Sequence, residues 1–201
     1  DMKNYEAMTD EALALLYASG DNRAFDVLLE RIQGKLFKYI LYLVNDEEKA
    51  EDIFQDTIVK IIVKIQDGYY TNTGKFYWWV TRMAHNLIMH WFRSNDNNIV
   101  LESEDTRNFY RLADDSHFEF NREQELVNEQ VLEDVRRLMD YLPFNQREMV
   151  VMRYYQNMPF REIAETLGIS INTALGRFRY AILNMRRMIK DHDLCLELCE
   201  R

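Results

Sequence analysis

Glycine, proline and cysteine are scarce in this chain of 201 residues, which holds 6 Gly, 2 Pro and 2 Cys. Because glycine and proline interrupt helices and mark turns, their scarcity beside abundant Leu, Met, Glu and Arg favours an all-helical fold. Cys195 and Cys199 lie four residues apart near the end of the sequence. They do not indicate a disulfide scaffold, so the cytoplasm is the expected compartment. Apolar runs are short and interrupted by charge, so we expect no membrane insertion.

The sequence motifs that accompany catalysis are also missing. There is no glycine-rich phosphate loop, no nucleophile elbow and no pair of carboxylates that would indicate a catalytic pocket. His192, Cys195 and Cys199 could bind zinc, but two free thiols and a surface histidine are the commoner explanation for such a group. We therefore expect no enzymatic activity, no cofactor and no metal site.

Acidic residues are absent from two stretches of an otherwise acidic chain. The formal net charge is −9, yet residues 68–95 and 168–190 contain no Asp or Glu. The first stretch combines three cations with eight aromatic residues, and the second carries five cations. Aromatic and cationic side chains together suit the unstacked bases of a single strand, whereas a basic helix suits the major groove of a duplex. The net negative charge predicts that DNA binding depends on a larger partner.

Hydrophobic periodicity predicts two blocks of helices. Residues 96–125 separate them and hold nine acidic residues against three arginines without helical periodicity, which indicates a flexible linker. The expected architecture is all-α: a small helical domain over residues 1–94, an acidic linker over 95–122 and a second small helical domain over 123–201. The helices are expected to begin at Thr9 and to cover residues 23–43, 47–65, 75–93, 123–141, 145–155, 159–167 and 171–191. Asp21 is expected to cap the helix at 23–43, and Asn45 and Asp46 are expected to start the helix at 47–65.

The segment FREIAETLGISINTA, residues 160–174, predicts a helix-turn-helix. Gly168 permits the positive φ that ends the first helix, and Ser170 can cap the second. Ile163, Ala164 and Leu167 are expected on the inner face of the first helix. Along the second helix, the buried stripe is expected at Ala174, Phe178, Ile182, Met185 and Ile189, which leaves Asn172, Thr173, Gly176, Arg177, Arg179 and Tyr180 facing outward. A plain helical hairpin with a solvated basic face is the alternative.

Two further segments carry candidate contacts. In the helix predicted over residues 47–65, Asp52, Gln55 and Asp56 share one arc opposite the isoleucines, which suits docking on a basic protein surface. A face that is merely solvated is the commoner explanation of such a pattern. In the loop at residues 69–74, Tyr69 and Tyr70 are hard to assign to a core and could stack on an extruded base.

Four strings resemble the extracytoplasmic-function (ECF) group of bacterial sigma factors, which retain regions two and four of the larger sigma proteins. They are AEDIFQDT at residues 50–57, WVTRMAHN at 79–86, LPFNQRE at 142–148 and the helix-turn-helix segment. The resemblance covers residues 25–93 and 132–190. It implies a non-enzymatic factor that binds core RNA polymerase, recognises −35 and −10 promoter elements and promotes strand opening. It also implies regulation by an anti-sigma factor.

The resemblance assigns roles to particular residues. It assigns polymerase docking to Asp52, Gln55 and Asp56. For these three residues it therefore favours a docking role over the interpretation that they form a merely solvated face. It assigns binding of single-stranded −10 DNA to a loop and the helix after it: Tyr69, Tyr70, Asn72, Lys75, Trp78, Arg82, Asn86 and Arg93. It assigns binding of the −35 duplex to the second helix of the helix-turn-helix: Thr173, Arg177, Arg179 and Tyr180. The acidic linker corresponds to the stretch that threads near the polymerase active site.

The sequence departs from the family pattern at four positions. His85 stands where Arg or Lys is common, and His90 stands where Asp is common. Leu175 and Gly176 replace a basic residue and a serine, so the promoter preference at those positions is open.

Two alternatives also stay open. One is a helix-turn-helix regulator that binds duplex operators without polymerase. The other is a nucleic-acid enzyme built on His85, His90 and the acids around Asp52, although two histidines five residues apart are poorly spaced to share a metal on a helix.

Overall fold

The computed structural model describes residues 4–94 and 136–191. The chain divides into two compact units, Asp1–Asn97 and Asn98–Arg201. Within the described residues every regular element is helical, which confirms the all-α fold class. The linker and its expected bounds at residues 95 and 122 lie outside the described residues and stay a prediction. The α-helices are α1 (Asp10–Ala18), α2 (Asn22–Val44), α3 (Glu47–Gln66), α4 (Phe76–Ser94), α5 (Phe144–Val150), α6 (Phe160–Leu167) and α7 (Ile171–Asp191).

The helix starts of the first unit follow the capping chemistry of the sequence. Thr9 caps α1, its hydroxyl oxygen accepting the backbone N–H of Ala12 at 3.2 Å. Asp46 caps α3 in the same way, its Oδ1 accepting the backbone N–H of Lys49 at 3.1 Å. Each cap satisfies one of the N–H groups that a helix start leaves without an intrahelical acceptor.

Asp21 stands at the N-cap of α2 but makes no side-chain cap. Its carboxylate instead accepts the hydroxyl of Tyr5 at 3.1 Å. This contact ties the 3₁₀ turn Tyr5–Ala7, which precedes α1, to the start of α2. The capping role expected of Asp21 is therefore replaced by a tertiary contact.

The core of the first unit is formed by aliphatic faces of α1 to α4. Burying one such side chain stabilises the fold by about 1.5–3 kcal/mol. The side chains with no more than 2% exposure include Leu13, Leu28, Ile32, Leu36, Ile40, Ile61, Ile65 and Ile88. Because this core consumes one face of α3 and one face of α4, the opposite faces of both helices are available for contacts.

Arg31 on α2 holds the N-terminal segment onto this core. Its guanidinium donates to the carbonyl oxygens of Met8 at 2.7 Å, Tyr5 at 3.1 Å and Glu6 at 2.9 Å. It also forms an ion pair with Asp10 at 3.0 Å. One planar fork therefore satisfies four acceptors, which a lysine ammonium cannot do in the same geometry.

The second unit packs α5, a π-helical turn and α6 around α7. Pro143 and Pro159 each stand immediately before a helix, where the missing N–H costs no intrahelical hydrogen bond. The helix expected over residues 145–155 differs from the prediction, because α5 ends at Val150 and a π-helical turn, Val151–Tyr155, follows it. The backbone N–H of Gln156 then reaches back five residues to Val151 at 3.1 Å. Of the helix expected over residues 123–141, residues 136–141 are described: 136–139 are helical, and 140 and 141 form a turn, so the helix ends earlier than expected.

None of the helices in the two described ranges combines the length and the apolar character needed to cross a bilayer.

Candidate functional site

The expected polymerase-docking residues share an exposed face of α3. Asp52, Gln55 and Asp56 are all exposed, whereas Ile53 and Thr57 between and beside them are buried. At 100° per residue, the three exposed side chains span about 100° around the helix. This face therefore remains accessible after the first unit has folded.

The same face of α3 continues into apolar side chains that the sequence reasoning missed. Val59 is 60% exposed and Val63 is 47% exposed. Both lie within about 20° of the direction of Asp52 around the helix. Their four-residue spacing after Gln55 was a signal in the sequence, but they resembled ordinary helix residues until their exposure was known. We call Asp52, Gln55, Asp56, Val59 and Val63 the α3 face.

One local charge interaction modifies the α3 face. Lys49 Nζ lies 3.3 Å from Asp52 Oδ2, one turn earlier on the helix. This hydrogen bond and the nearby carboxylate charges raise the pKa of Lys49 above its ordinary value. Lys49 and Asp52 are both well exposed, so a basic partner could displace this contact at little cost.

Tyr70 corrects one expectation for the loop at residues 69–74. The segment is irregular, as predicted, but Tyr70 is only 7% exposed. Its ring packs against Phe76 at 5.2 Å and Trp79 at 5.0 Å between centroids. The expectation that Tyr70 is hard to place in a core is therefore wrong, because three aromatic rings from the loop and α4 form a cluster that excludes it from solvent. In this position Tyr70 anchors the loop.

Tyr69 and Asn72 form the outer surface of the loop. Tyr69 is 65% exposed, and Lys64 Nζ lies 3.9 Å from its ring centroid, within the range of a cation–π contact. Asn72 is exposed, and its Oδ1 accepts the backbone N–H of Gly74 at 3.2 Å. A second hydrogen bond fixes the end of the loop, since Glu11 Oε1 accepts the backbone N–H of Phe76 at 3.3 Å. The loop is therefore held in place at its end and exposes one aromatic ring and one amide to solvent.

The expected single-strand contacts on α4 form one line. Arg82, Asn86 and Arg93 are exposed, and Lys75 and Trp78 are partly exposed. At 100° per residue all five fall within an arc of about 80°, along roughly 27 Å of helix axis. The ammonium of Lys75 lies 5.6 Å from the ring centroid of Trp78. Cations and an aromatic ring in one line suit a backbone with unstacked bases.

The turn of the helix-turn-helix has the predicted geometry. Gly168 has φ 66° and ψ 33°, the left-handed conformation that ends α6. Ser170 Oγ accepts the backbone N–H of Thr173 at 3.0 Å and lies 2.8 Å from the hydroxyl of Thr173. Phe160 from α6 and Phe178 from α7 pack at 5.1 Å between ring centroids. A left-handed glycine, a serine cap and a shared aromatic contact thus set how α7 follows α6.

The face of α7 that remains accessible differs in part from the prediction. The fully covered stripe consists of Ala174, Phe178, Ala181 and Met185. Ile182 and Ile189 are half-buried, as is Leu167 on α6. Gly176, expected to face outward, is buried, because a residue without a side chain is covered by its neighbours on the helix.

The four expected −35 residues are distributed around the accessible side of α7. All four are partly exposed. Relative to the centre of the buried stripe, Arg179 and Tyr180 lie about 130° away on opposite sides, Thr173 about 110° away and Arg177 about 70° away. Arg179 and Tyr180 thus point most directly away from the core, and Arg177 lies nearer its edge.

The possible zinc ligands noted in the sequence are not among the residues that the structure describes. His192, Cys195 and Cys199 lie outside the described residues. Among the residues that are described, no group of three or more His, Cys, Asp or Glu side chains has the geometry of a metal site.

Comparison with known protein families agrees with both units. The family described as sigma-70 region 2 matches residues 28–98. The family described as sigma-70, region 4 matches residues 132–174. The two matches occur in the order in which sigma factors carry these regions and together cover more than half of the chain.

The chain belongs to the ECF group of sigma-70 factors. It is a promoter-recognising factor of transcription initiation. Two relatives illustrate the likeness. The RNA polymerase sigma-H factor of Pseudomonas aeruginosa is 24% identical over 174 residues, covering 84% of this chain and 87% of that protein. The ECF RNA polymerase sigma factor BldN of Streptomyces coelicolor is 28% identical over 178 residues, covering 86% of this chain and 63% of that protein.

Solved structures agree on the fold. CnrH, solved in complex with the cytosolic domain of CnrY, has a TM-score of 0.62 at 21% identity, covering 90% of this chain and 97% of that one. The sigma factor RpoE from Bartonella quintana, solved in complex with the anti-sigma factor NepR, has a TM-score of 0.58 at 19% identity, covering 83% of this chain and 96% of that one. At these identities the likeness establishes the fold alone.

Proposed function

We propose that this ECF sigma factor docks on core RNA polymerase through the α3 face. The observation that carries the proposal is the exposure of Asp52, Gln55 and Asp56 on the surface that the folded first unit leaves open. Two carboxylates and an amide complement a basic partner, and Val59 and Val63 supply apolar area that becomes desolvated on binding. From the resemblance to the family we expect this partner to be the clamp helices of the large polymerase subunit.

The first unit uses its loop and α4 to hold the opened −10 element. Tyr69 and Asn72 meet an extruded base, while the line from Lys75 to Arg93 follows the backbone and stacks bases through Trp78. Stacking contributes about 1–3 kcal/mol per base, which offsets much of the few kcal/mol needed to extrude one. Tyr70 contributes indirectly, because its buried ring anchors the loop.

The second unit places α7 in the major groove of the −35 element. Arg179 and Tyr180 point away from the core and are the leading candidates for groove contacts, with Thr173 and Arg177 beside them. Polymerase supplies the catalysis, so the chain itself is no enzyme, and it acts in the cytoplasm, where polymerase meets chromosomal DNA. Because the RpoE relative was solved with an anti-sigma factor, we also propose that an anti-sigma protein occludes these surfaces.

The docking assignment is tested with a triple variant, Asp52→Ala, Gln55→Ala and Asp56→Ala. Loss of two charges and one amide, at about 0.5 kcal/mol or more each, should weaken binding to core polymerase about tenfold or more. Glu47→Ala is the matched control, because Glu47 is exposed on the same helix but lies about 140° from Asp52 and about 80° from Gln55. Affinity is measured by titrating labelled protein with core polymerase. Equal affinity of the triple variant and the control would remove the α3 face from the docking site.

Reconstituted transcription distinguishes the remaining alternatives. Run-off transcription from genomic DNA, with core polymerase and with or without this chain, should give new start sites that share a two-part upstream motif. Sequence-specific duplex binding without polymerase, and no new starts, would instead identify a stand-alone regulator. Metal-dependent turnover of DNA or RNA would support the nucleic-acid enzyme.

A further inference from the structure

Helix α7 exposes three aliphatic side chains along its accessible surface. Ile171 is 46% exposed, Leu175 40% and Leu183 45%. They occur at intervals of four and eight residues, and Arg179 occupies the intervening turn. We call Ile171, Leu175 and Leu183 the α7 ridge. Exposed aliphatic residues that follow one another along a helix can form part of an interaction surface, and the groups around them indicate which partner they suit.

The charged residues around the α7 ridge indicate which kind of partner it contacts. Residues 168–190 contain five cations and no Asp or Glu. Arg179 and Arg186 lie on the same side of α7 as Leu175, within about 40° of it around the helix. These two cations can contact phosphates along one edge of a groove. This environment favours duplex DNA over a protein partner as the occupant.

Position along the helix selects Leu175 within the ridge. Recognition helices contact base edges with the residues of their N-terminal half, and Leu175 is the fifth residue of the 21-residue α7. The next residue, Gly176, has no side chain that could reach a base. Leu183 lies about two turns beyond Leu175, and Ile171 is the first residue of α7. Leu175 is therefore the aliphatic group of the ridge best placed to meet a base pair.

The major groove offers one apolar group to such a side chain. Guanine, adenine and cytosine present donors and acceptors there, whereas thymine also presents its C5 methyl group. Leucine neither donates nor accepts a hydrogen bond, and it would leave polar base edges without a partner if it displaced their water. Contact with a thymine methyl group carries no such cost.

We propose that Leu175 is a specificity-determining residue that reads the C5 methyl group of a thymine in the −35 element. The inference rests on the proposed placement of α7 in the −35 major groove and adds a base preference to it. It explains how a leucine can stand where family members carry a basic residue: the readout changes from a polar base edge to a methyl group. It involves no bond making or breaking.

The test replaces thymine by deoxyuridine, which removes the methyl group and nothing else. Holoenzyme formed with core polymerase is titrated against promoter duplexes in which each thymine of the −35 element is replaced in turn. Loss of one buried methyl group should weaken binding about fourfold at one position. Leu175→Ala should bind the thymine and deoxyuridine duplexes equally at that position. Leu183→Ala, with a similar exposed side chain on the same helix, is the control and should retain the fourfold preference.

Three results would overturn the inference and are distinguishable from one another. If binding does not depend on the −35 sequence at all, the placement of α7 fails, and the inference fails with it. If binding depends on the −35 element but no deoxyuridine changes it, the placement stands and the methyl readout is wrong. If Leu175→Ala weakens assembly with polymerase and leaves the thymine preference unchanged, the ridge contacts protein.

Discussion

Replacing Tyr70 by phenylalanine should make the first unit more stable. The Tyr70 hydroxyl is buried and has no hydrogen-bond partner among the described residues. Leaving such a group unsatisfied costs about 1–3 kcal/mol, whereas its ring contacts with Phe76 and Trp79 do not involve the hydroxyl. Phenylalanine retains the ring and removes the unsatisfied oxygen. We therefore expect the free energy of unfolding to rise by about 1 kcal/mol near pH 8.

The same substitution should remove a pH dependence. Burial, reinforced by the charges of Glu11 and Asp10, raises the pKa of Tyr70 to about 12 from its ordinary value of 10.0. Since the folded chain holds this proton more tightly than the unfolded chain, the stabilising contribution is complete below pH 10 and is lost as the pH rises toward 12. At pH 11 the loss amounts to about 1 kcal/mol. Tyr70→Phe should lack this loss.

Tryptophan fluorescence makes the assay specific to the first unit. The chain has 3 tryptophans, Trp78, Trp79 and Trp91, and all of them lie on α4. Urea unfolding of wild type and Tyr70→Phe is followed by fluorescence at pH 8, 10 and 11, and only the difference between the two proteins is interpreted. The advantage of Tyr70→Phe should grow by about 1 kcal/mol or more between pH 8 and pH 11. A variant that is less stable at pH 8, or a difference that stays constant with pH, would refute the reasoning.

Two further predictions concern the framework of each unit. Arg31→Lys should lower the free energy of unfolding of the first unit by about 1–3 kcal/mol, because one ammonium cannot satisfy the four acceptors that the guanidinium reaches. Urea titration followed by tryptophan fluorescence measures it, and an unchanged midpoint would show that the N-terminal segment is not held by this fork. Gly168→Ala should cost the second unit about 1–2 kcal/mol, because φ is +66° and an added Cβ meets nothing within 4 Å, so only backbone strain opposes it. Thermal unfolding followed by circular dichroism measures this cost, and a variant as stable as wild type would contradict the strained conformation.

Helix positions were largely predictable from the sequence because the signals are local. Thr9, Asp46, Gly168 and Ser170 act through neighbours no more than four residues away, and the structure confirms all four as helix boundaries. Asp21 shows the limit of such reasoning. A capping residue was expected there, but Tyr5, 16 residues earlier in the chain, takes its carboxylate.

The errors in the candidate site share one cause, which is burial set by distant residues. Tyr70 looks like a loop residue in the sequence, yet Phe76 and Trp79 of the next helix cover it. Val59 and Val63 are apolar, yet they lie on the polar arc of α3 and no element of the first unit covers them fully. Helical periodicity gives the direction of a side chain around its own axis. It does not give the element that packs against it, and that element decides whether the side chain is buried or available.

The charge distribution predicts that this chain binds its promoter weakly without a partner. A formal net charge of −9 repels DNA. The opposing contacts are Lys75, immediately before α4, with Arg82 and Arg93 on α4, and five cations among residues 168–190. Each set alone releases few counterions and binds weakly at physiological salt. A polymerase that holds both units converts the second contact into an intramolecular one and raises the overall affinity by roughly 10²–10⁴ without any new contact to DNA. We therefore expect the acidic balance of the chain to permit promoter recognition within the holoenzyme and to weaken DNA binding by the factor alone.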